Sequence, residues 1–139
     1  MRMGPAAAIA IHELMNRYAH AIDAHDLVAL EVCFTNDASF AIEVADGISA
    51  GPFEGRAAIL DLVRGAYESQ SDRRRHVVTN IFVDPISDAS ANVTSNLTLF
   101  SIANGELTPL TTGVYRDRVV RTNARWQIEQ RHLKVDLPY

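Results

Sequence analysis

The chain changes its pattern near residue 70, and this change constrains the fold more than any other feature. After it come four long extended segments rich in Val, Ile, Thr and aromatic residues, which are residues 76–86, 91–102, 110–120 and 125–135. The breaks between them carry Asp-Pro, Asn-Gly and Thr-Asn pairs, which are typical of hairpin connections. The second half is therefore predicted to form an antiparallel meander.

Helical spacing of apolar residues marks the first half of the chain. Residues 11–22 show the pattern of an amphipathic helix, and Asp26 can cap a second, short helix. A third helix is predicted around residues 59–67, with a short strand over 38–44 and a loop over 46–55 between the second and third helices. Helices at the front and strands at the back predict an α+β fold, with the helices packed on one face of a curved sheet.

Length and composition favour one soluble domain. The chain has 139 residues, of which 47% are apolar and 22% are charged, and these values are ordinary for one globular domain. We therefore expect a single domain over residues 1–139, with residues 1–8 as a flexible N-terminal arm. The formal charge is −4, and the basic residues are scattered apart from Arg73 to Arg75, which argues against a nucleic-acid partner.

Other classes of site and location are disfavoured by what the sequence contains. The first apolar stretch is interrupted by His12 and Glu13, so it suits neither a membrane span nor a signal sequence, and we expect a cytoplasmic protein with no membrane partner. No phosphate-binding glycine loop or nucleotide fingerprint appears, and the spacing of His20, Asp23 and His25 matches no common zinc pattern. We expect chemistry that needs no cofactor and no metal.

Two residues can carry acid–base chemistry if the fold brings them together. Asp23 lies at the margin of the apolar stripe of the first helix, where a negative charge near the helix C-terminus is unfavourable without a partner. His76 opens the first long strand and shares a face with Val78, Asn80 and Phe82. A histidine paired with a carboxylate can act as a general base. The alternative to a catalytic pair is that Asp23 only ends the first helix and that His76 has a structural role.

Five short motifs occur along the chain in a fixed order. They are Tyr18-Ala19-x-x-x-Asp23-x-x-Asp26, Phe34-x-x-Asp37-Ala38, Gly55-Arg56-x-x-Ile59, His76-x-x-Thr79-Asn80, and Gly113-x-Tyr115-x-Asp117 followed by Trp126-x-Ile128. Together they resemble the SnoaL-like branch of the nuclear transport factor two-like superfamily, over nearly the whole chain. The resemblance implies a cone-shaped, curved, mixed but mainly antiparallel sheet, with three helices packed on its concave face around a pocket. It also implies a homodimer or a homotrimer.

The resemblance implies roles for four residues. In dehydratases and a dehydrochlorinase of the superfamily, an Asp near the end of helix one and a His at the start of this strand form a catalytic dyad, and Asp23 and His76 stand at the matching places. Tyr18 matches a tyrosine that binds or polarises a substrate oxygen, although a core tyrosine would occupy the same stripe. Arg131 matches an arginine that stabilises a developing anion. In a regular strand, Arg131 and Trp126 lie on different faces of the sheet, and only a bulge would bring them to the same face. A solvent-exposed Arg131 is therefore the alternative.

The activity predicted from these residues is that of a cofactor-independent lyase, which performs a dehydratase-type elimination on a small apolar or cyclic substrate. The residues expected to bind the substrate are Met15, Phe40, Phe53, Val78, Asn80, Phe82, Asn96 and Phe100. The same dyad would serve an isomerase or a polyketide-type cyclase, because each of these reactions also begins by forming an enolate. A non-catalytic ligand-binding or dimerisation module is the alternative from another class, and an accessory subunit of a larger enzyme is a third. An unpaired His76 or a cavity filled by aromatic side chains would favour the binding module.

Overall fold

The computed structural model describes residues 2–139, which form three α-helices, one turn of 3₁₀ helix (Ala45–Gly47) and six strands. The helices are α1 (Pro5–Asp23), α2 (Leu27–Glu31) and α3 (Arg56–Ser69), and the strands are β1 (Phe34–Val44), β2 (Ile48–Glu54), β3 (Arg73–Ser87), β4 (Ser90–Ala103), β5 (Glu106–Thr122) and β6 (Arg125–Val135). The strands form one curved sheet in the order β2-β1-β6-β5-β4-β3. β1 runs parallel to β6, and the other neighbouring strands are antiparallel. The predicted α+β fold with a mixed, mainly antiparallel sheet is confirmed.

Helix α1 begins earlier than its apolar spacing predicts. Pro5 occupies its first turn directly after Gly4, and proline suits this place because a helix start needs no N–H donor there. Three alanines follow, and alanine is the strongest helix former. Residues 5–8 are therefore helical, which corrects the expectation of a flexible arm over residues 1–8. Met1 lies outside the described residues.

The stretch over residues 46–55, expected to be a loop, contains strand β2, which pairs with β1 at the edge of the sheet. An edge strand tolerates Pro52 because one side of it needs no backbone donors. Gly51 has a φ of +88°, and a Cβ at this position would lie 2.8 Å from the carbonyl oxygen of Phe40. The residues that predict a turn thus shape a tight edge strand that closes on β1.

A bulge in β3 changes which side chains face the helices. The register of β3 against β4 shifts between Thr79 and Phe82, and Asn80 has a φ of +54°. Before the bulge, His76 and Val78 are partly buried, whereas after it the partly buried positions are odd-numbered. Asn80 and Phe82 are exposed, so the predicted common face with His76 ends at the bulge.

A second bulge lies in β6. Arg118 of β5 pairs with Gln130, but the next residue, Val119, pairs with Ile128, so Glu129 is the extra residue. Arg131 is consequently buried on the same face as Ile128. Strand alternation allowed Arg131 to face the same side as Trp126 only if a bulge intervened. That bulge is present.

The core lies between the inner face of the sheet and the helices that cover it. Ile11, Leu14 and Met15 of α1 are buried there, as are alternate residues of the strands, such as Leu97 and Leu99. Among the described residues, no helix is both long and apolar enough to cross a membrane.

Candidate active site

A cavity of about 230 Å³ opens between the sheet, α1 and α3. Much of its wall is apolar, and Phe40, Ile42, Val63, Leu97 and Leu133 contribute to it. Sites for drug-sized ligands usually measure about 300–1,000 Å³. The cavity is therefore of a size for one or two rings.

Asp23 and His76 meet at the wall of this cavity. The ring Nδ1 of His76 lies 2.7 Å from Oδ1 of Asp23, although the two residues are 53 positions apart in the chain. The backbone N–H of His76 also donates to the same carboxylate, at 3.0 Å to Oδ1 and 3.1 Å to Oδ2. The side chains are 15% and 11% exposed for His76 and Asp23, respectively. One carboxylate therefore fixes both the backbone and the ring of His76.

The pairing determines which ring nitrogen of His76 is available for chemistry. An ionised carboxylate only accepts hydrogen bonds, so Nδ1 must be the nitrogen that carries the proton. In the neutral ring the lone pair is then on Nε2. No described residue bonds to Nε2, and His76 lines the cavity. Nε2 can therefore accept a hydrogen bond or a proton from a molecule in the cavity.

Local sequence explains how Asp23 reaches this position. Asp23 is the last residue of α1, and the chain turns at His25, whose φ is +55°. Asp26 then caps α2 by accepting the N–H of Ala29 at 2.9 Å. The helix therefore stops where Asp23 faces the start of β3, and the hydrogen bonds from His76 offset the cost of a negative charge at a helix C-terminus.

A buried ion pair between Arg131 and Asp117 lies behind Tyr18 and Tyr115, two tyrosines of the cavity wall. Nε and Nη2 of Arg131 donate to Asp117 at 2.8 Å and 2.9 Å, and both side chains are 0% exposed. The guanidinium carbon lies 4.1 Å from the ring centre of Tyr18 and 3.9 Å from that of Tyr115. Both tyrosines line the cavity, whereas Arg131 does not. Arg131 therefore contacts the two tyrosines that line the cavity but does not itself line it.

Burial and this cation act in opposite directions on the two phenols. Burial raises the pKa of Tyr18, and the positive charge of Arg131 partly offsets the rise. Burial also raises the pKa of Tyr115 well above its usual value, with a further contribution from Tyr18. Both phenols therefore stay protonated at neutral pH, as hydrogen-bond donors. Burial alone would lower the pKa of Arg131, but Asp117 raises it above its usual value, so the arginine stays charged.

A third tyrosine closes the cavity on the side of α3. The hydroxyl of Tyr67 donates to the carbonyl oxygen of Ile22 at 2.9 Å, and the ring stacks on His25 with the centres 3.7 Å apart. Burial raises the pKa of Tyr67 to about 12. The hydroxyl proton of Tyr67 is already donated to the carbonyl oxygen of Ile22, so it is not available to a ligand. Tyr67 therefore lines the cavity and links α3 to α1.

The structure corrects most of the predicted substrate contacts. Only Phe40 among the eight lines the cavity. Met15 is fully buried beneath Arg131, whose Nη2 lies 3.4 Å from the Met15 sulfur. Val78 is partly buried against the core without reaching the cavity, and Phe53 lies on edge strand β2.

The other four predicted contacts lie on the wrong face of the sheet or beyond a bulge. Asn80 and Phe82 are turned outward by the bulge in β3. In β4 the odd-numbered positions from Val93 to Ser101 are buried, so Asn96 and Phe100 point to the opposite face. The face on which a strand residue lies cannot be predicted unless two things are known. These are the positions of the bulges and whether the odd or the even residues are buried.

Tyr115, Tyr67 and Arg74 line the cavity and were not predicted to do so. Arg74 belongs to the run Arg73 to Arg75, which precedes the extended segment predicted over residues 76–86, but β3 begins at Arg73, so strand alternation applies to Arg74. Its spacing of two from His76 was the available signal, because residues two apart share a face. Among residues 2–139, no three His, Cys, Asp or Glu side chains are grouped as metal ligands.

Comparisons with known proteins agree with the fold. The sequence pattern of the SnoaL-like domain matches residues 6–132, so the chain belongs to the SnoaL-like domain family. None of the curated protein sequences matches the chain.

Several solved structures share the fold. A protein of unknown function from Nostoc punctiforme, with a cystatin-like fold, superposes with a TM-score of 0.81 at 21% identity over 99% of this chain and 98% of its own. A scytalone dehydratase-like protein from Novosphingobium aromaticivorans gives a TM-score of 0.78 at 24% identity over 95% of this chain and 85% of its own. A Catenulispora acidiphila protein in complex with S-DNPA gives 0.82 at 22% identity over 95% of each chain. At these identities the likeness concerns the fold.

Proposed function

We propose that the protein is a cofactor-independent lyase that removes a proton from a carbon next to a carbonyl group and expels a leaving group. The observation that carries the proposal is the hydrogen bond between Asp23 and Nδ1 of His76 at the wall of an apolar cavity. This bond leaves Nε2 free as a base. The scytalone dehydratase-like relative supports the choice of elimination among the reactions that share this first step.

The proposed elimination has two steps, in which His76 acts first as a base and then as an acid. Nε2 of His76 takes the proton from the carbon, and the C–H electron pair becomes the new C=C bond through an enolate. Asp23 stabilises the imidazolium that forms. The carbon–oxygen bond to the leaving hydroxyl then breaks, and the departing hydroxyl takes the proton back from His76 and leaves as water. The histidine ends as it began, so no other reactant is consumed.

The enolate oxygen needs hydrogen-bond donors, and the cavity wall supplies two phenols. Tyr18 and Tyr115 line the cavity and remain protonated because burial raises the pKa of each. Arg131 contacts both rings and favours negative charge near them. A preorganised donor at such a site contributes a factor of about 10²–10³ to the rate. We assign Tyr18 and Tyr115 as the donors and Arg131 as the residue that positions them.

The first step can be tested without knowledge of the natural substrate. 2-Tetralone is a two-ring ketone with acidic protons beside its carbonyl, and proton NMR in D2O follows their exchange for deuterium. The protein is expected to accelerate this exchange, and His76→Gln is expected to remove the acceleration. His20→Gln is a matched control because His20 is exposed on the outer side of α1. Exchange no faster than in buffer, or equal exchange with His76→Gln, would contradict the proposal and favour a binding module.

A further inference from the structure

Arg74 sets one end of the cavity apart from the rest. Among the described residues that line the cavity, it is the only lysine or arginine. It lies two residues before His76 in β3, so the two side chains share a face and their backbones are separated by about 7 Å. A positively charged side chain and His76 therefore face the same cavity from neighbouring positions on one strand.

The guanidinium of Arg74 is held on one edge and one face. Its Nε donates to Asp72 at 3.2 Å to Oδ1 and 3.3 Å to Oδ2. The ring of Tyr139 lies against it, with the guanidinium carbon 5.4 Å from the ring centre. A guanidinium has five N–H donors, and no described residue bonds to the terminal nitrogens of Arg74. The side chain is thus oriented while four donors remain available.

Asp72 is itself held in place, so it orients Arg74 through Nε and leaves the terminal nitrogens of Arg74 uncovered. The hydroxyl of Ser101 donates to Oδ2 of Asp72, and Nε2 of Gln70 donates to its backbone carbonyl at 2.9 Å. The Arg74 side chain is 28% exposed, which leaves it reachable from the cavity and still partly shielded from solvent. A shielded charge–charge contact is stronger than one on an open surface.

We propose that Arg74 binds a carboxylate of the substrate, so that the substrate is a small ring acid whose carboxylate lies about one ring's width from the reacting carbon. This inference rests on the proposed function of His76. The terminal nitrogens of a guanidinium match the two oxygens of a carboxylate in a bidentate pair. The apolar wall encloses the ring, and the spacing of Arg74 from His76 sets which carbon meets the base.

Binding of two probes of the same shape tests the proposal. They are 2-naphthoate and its neutral counterpart 2-naphthamide, and their dissociation constants are measured by calorimetry and by NMR of the histidine rings. Arg74→Gln is expected to weaken 2-naphthoate binding about ten- to hundredfold, the usual worth of a hydrogen bond to a charged group, and to leave 2-naphthamide binding unchanged. Arg74→Lys keeps the charge and is expected to recover part of the loss.

The neighbouring arginines provide matched controls. Arg73→Gln and Arg75→Gln remove the same charge from the same strand, but both side chains are exposed. They are expected to leave the binding of both probes unchanged, which separates a direct contact from a general effect of net charge. A urea midpoint for each variant shows that the fold is intact.

Failure of this inference is distinguishable from failure of the proposed function. Equal loss of 2-naphthoate binding in all three Gln variants, no loss in Arg74→Gln, or no binding of 2-naphthoate by the unaltered protein would overturn the role of Arg74. Exchange of 2-tetralone protons that still depends on His76 would then show that the base remains. Loss of that dependence as well would remove the proposed function too.

Discussion

Asp23 binds His76 twice, once through the ring Nδ1 at 2.7 Å and once through the backbone N–H at 3.0 Å. The first bond selects the protonated nitrogen, and the second fixes where β3 starts relative to the end of α1. The His76 ring is therefore oriented by the same carboxylate that joins the two elements. Substitutions at Asp23 should consequently affect chemistry more than a change at an ordinary helix end.

Asp23→Asn is expected to lower the rate of 2-tetralone exchange by about 10²–10⁴-fold, the usual contribution of general acid–base catalysis. An amide can still accept the backbone N–H of His76, but it cannot stabilise the imidazolium as a carboxylate does. Asp26→Asn is the control, because it makes the same change three residues away at a cap where Asn serves as well as Asp. Equal rates for Asp23→Asn and Asp26→Asn would rule out the assigned role of Asp23.

Removal of one partner of the Arg131–Asp117 ion pair is expected to destabilise the protein strongly. Asp117→Asn leaves Arg131 buried without a counter-charge, and breaking a buried pair in this way costs about 3–5 kcal/mol. The exposed pair between Arg118 and Glu129 is the comparison, since Glu129→Gln should cost at most about 1 kcal/mol. Urea unfolding measures both, and similar losses for the two variants would contradict the buried placement of Asp117.

Asp72 gives the protein a dependence of stability on acid. The hydroxyl of Ser101 lowers the pKa of Asp72 below its usual 3.8, with Arg74 adding to the effect. Its stabilising contribution is thus fully present above pH 3.8 and is lost as the pH falls through the lower folded value. The difference in unfolding free energy between the unaltered protein and Asp72→Asn should be constant near neutrality and shrink below pH 3.8. If the difference instead grew on acidification, the pKa of Asp72 would be raised in the folded protein. That result would contradict a stabilising, ionised Asp72.

Gly51 is expected to be intolerant of a side chain. Gly51→Ala would place a Cβ 2.8 Å from the carbonyl oxygen of Phe40 at a φ of +88°, so we expect a loss of about 1–3 kcal/mol. Gly65→Ala is the control, because a Cβ there meets nothing within 4 Å and alanine favours the helix by about 1 kcal/mol. Thermal unfolding should move in opposite directions for the two variants, and a shift in the same direction would contradict the description of β2.

The order of elements other than β2, and the pairing of Asp23 with His76, could be predicted because each rests on a local or a family pattern. The amphipathic spacing of α1 and the hairpin connections of the long strands are visible in the sequence. The charge of Asp23 at a helix end requires a partner, and a histidine at the start of β3 satisfies that requirement.

The cavity wall could not be predicted from the same patterns. One extra residue at Asn80 reverses the faces of the rest of β3, and the sequence does not show where such a bulge falls. Arg74 was not predicted for a second reason, which is that β3 begins three residues before its predicted start at residue 76. Alternation is informative only after the ends and the bulges of a strand are known.

Nitrogen-15 NMR of the histidine rings tests the central claim most directly, since it reports the proton on each ring nitrogen. For His76 at neutral charge, we predict a proton on Nδ1 and a bare Nε2, and we predict that adding 2-tetralone shifts the Nε2 signal of His76 while His20 stays unchanged. A proton on Nε2, or a ligand that binds without moving any His76 signal, would contradict the placement of Nε2 as the base.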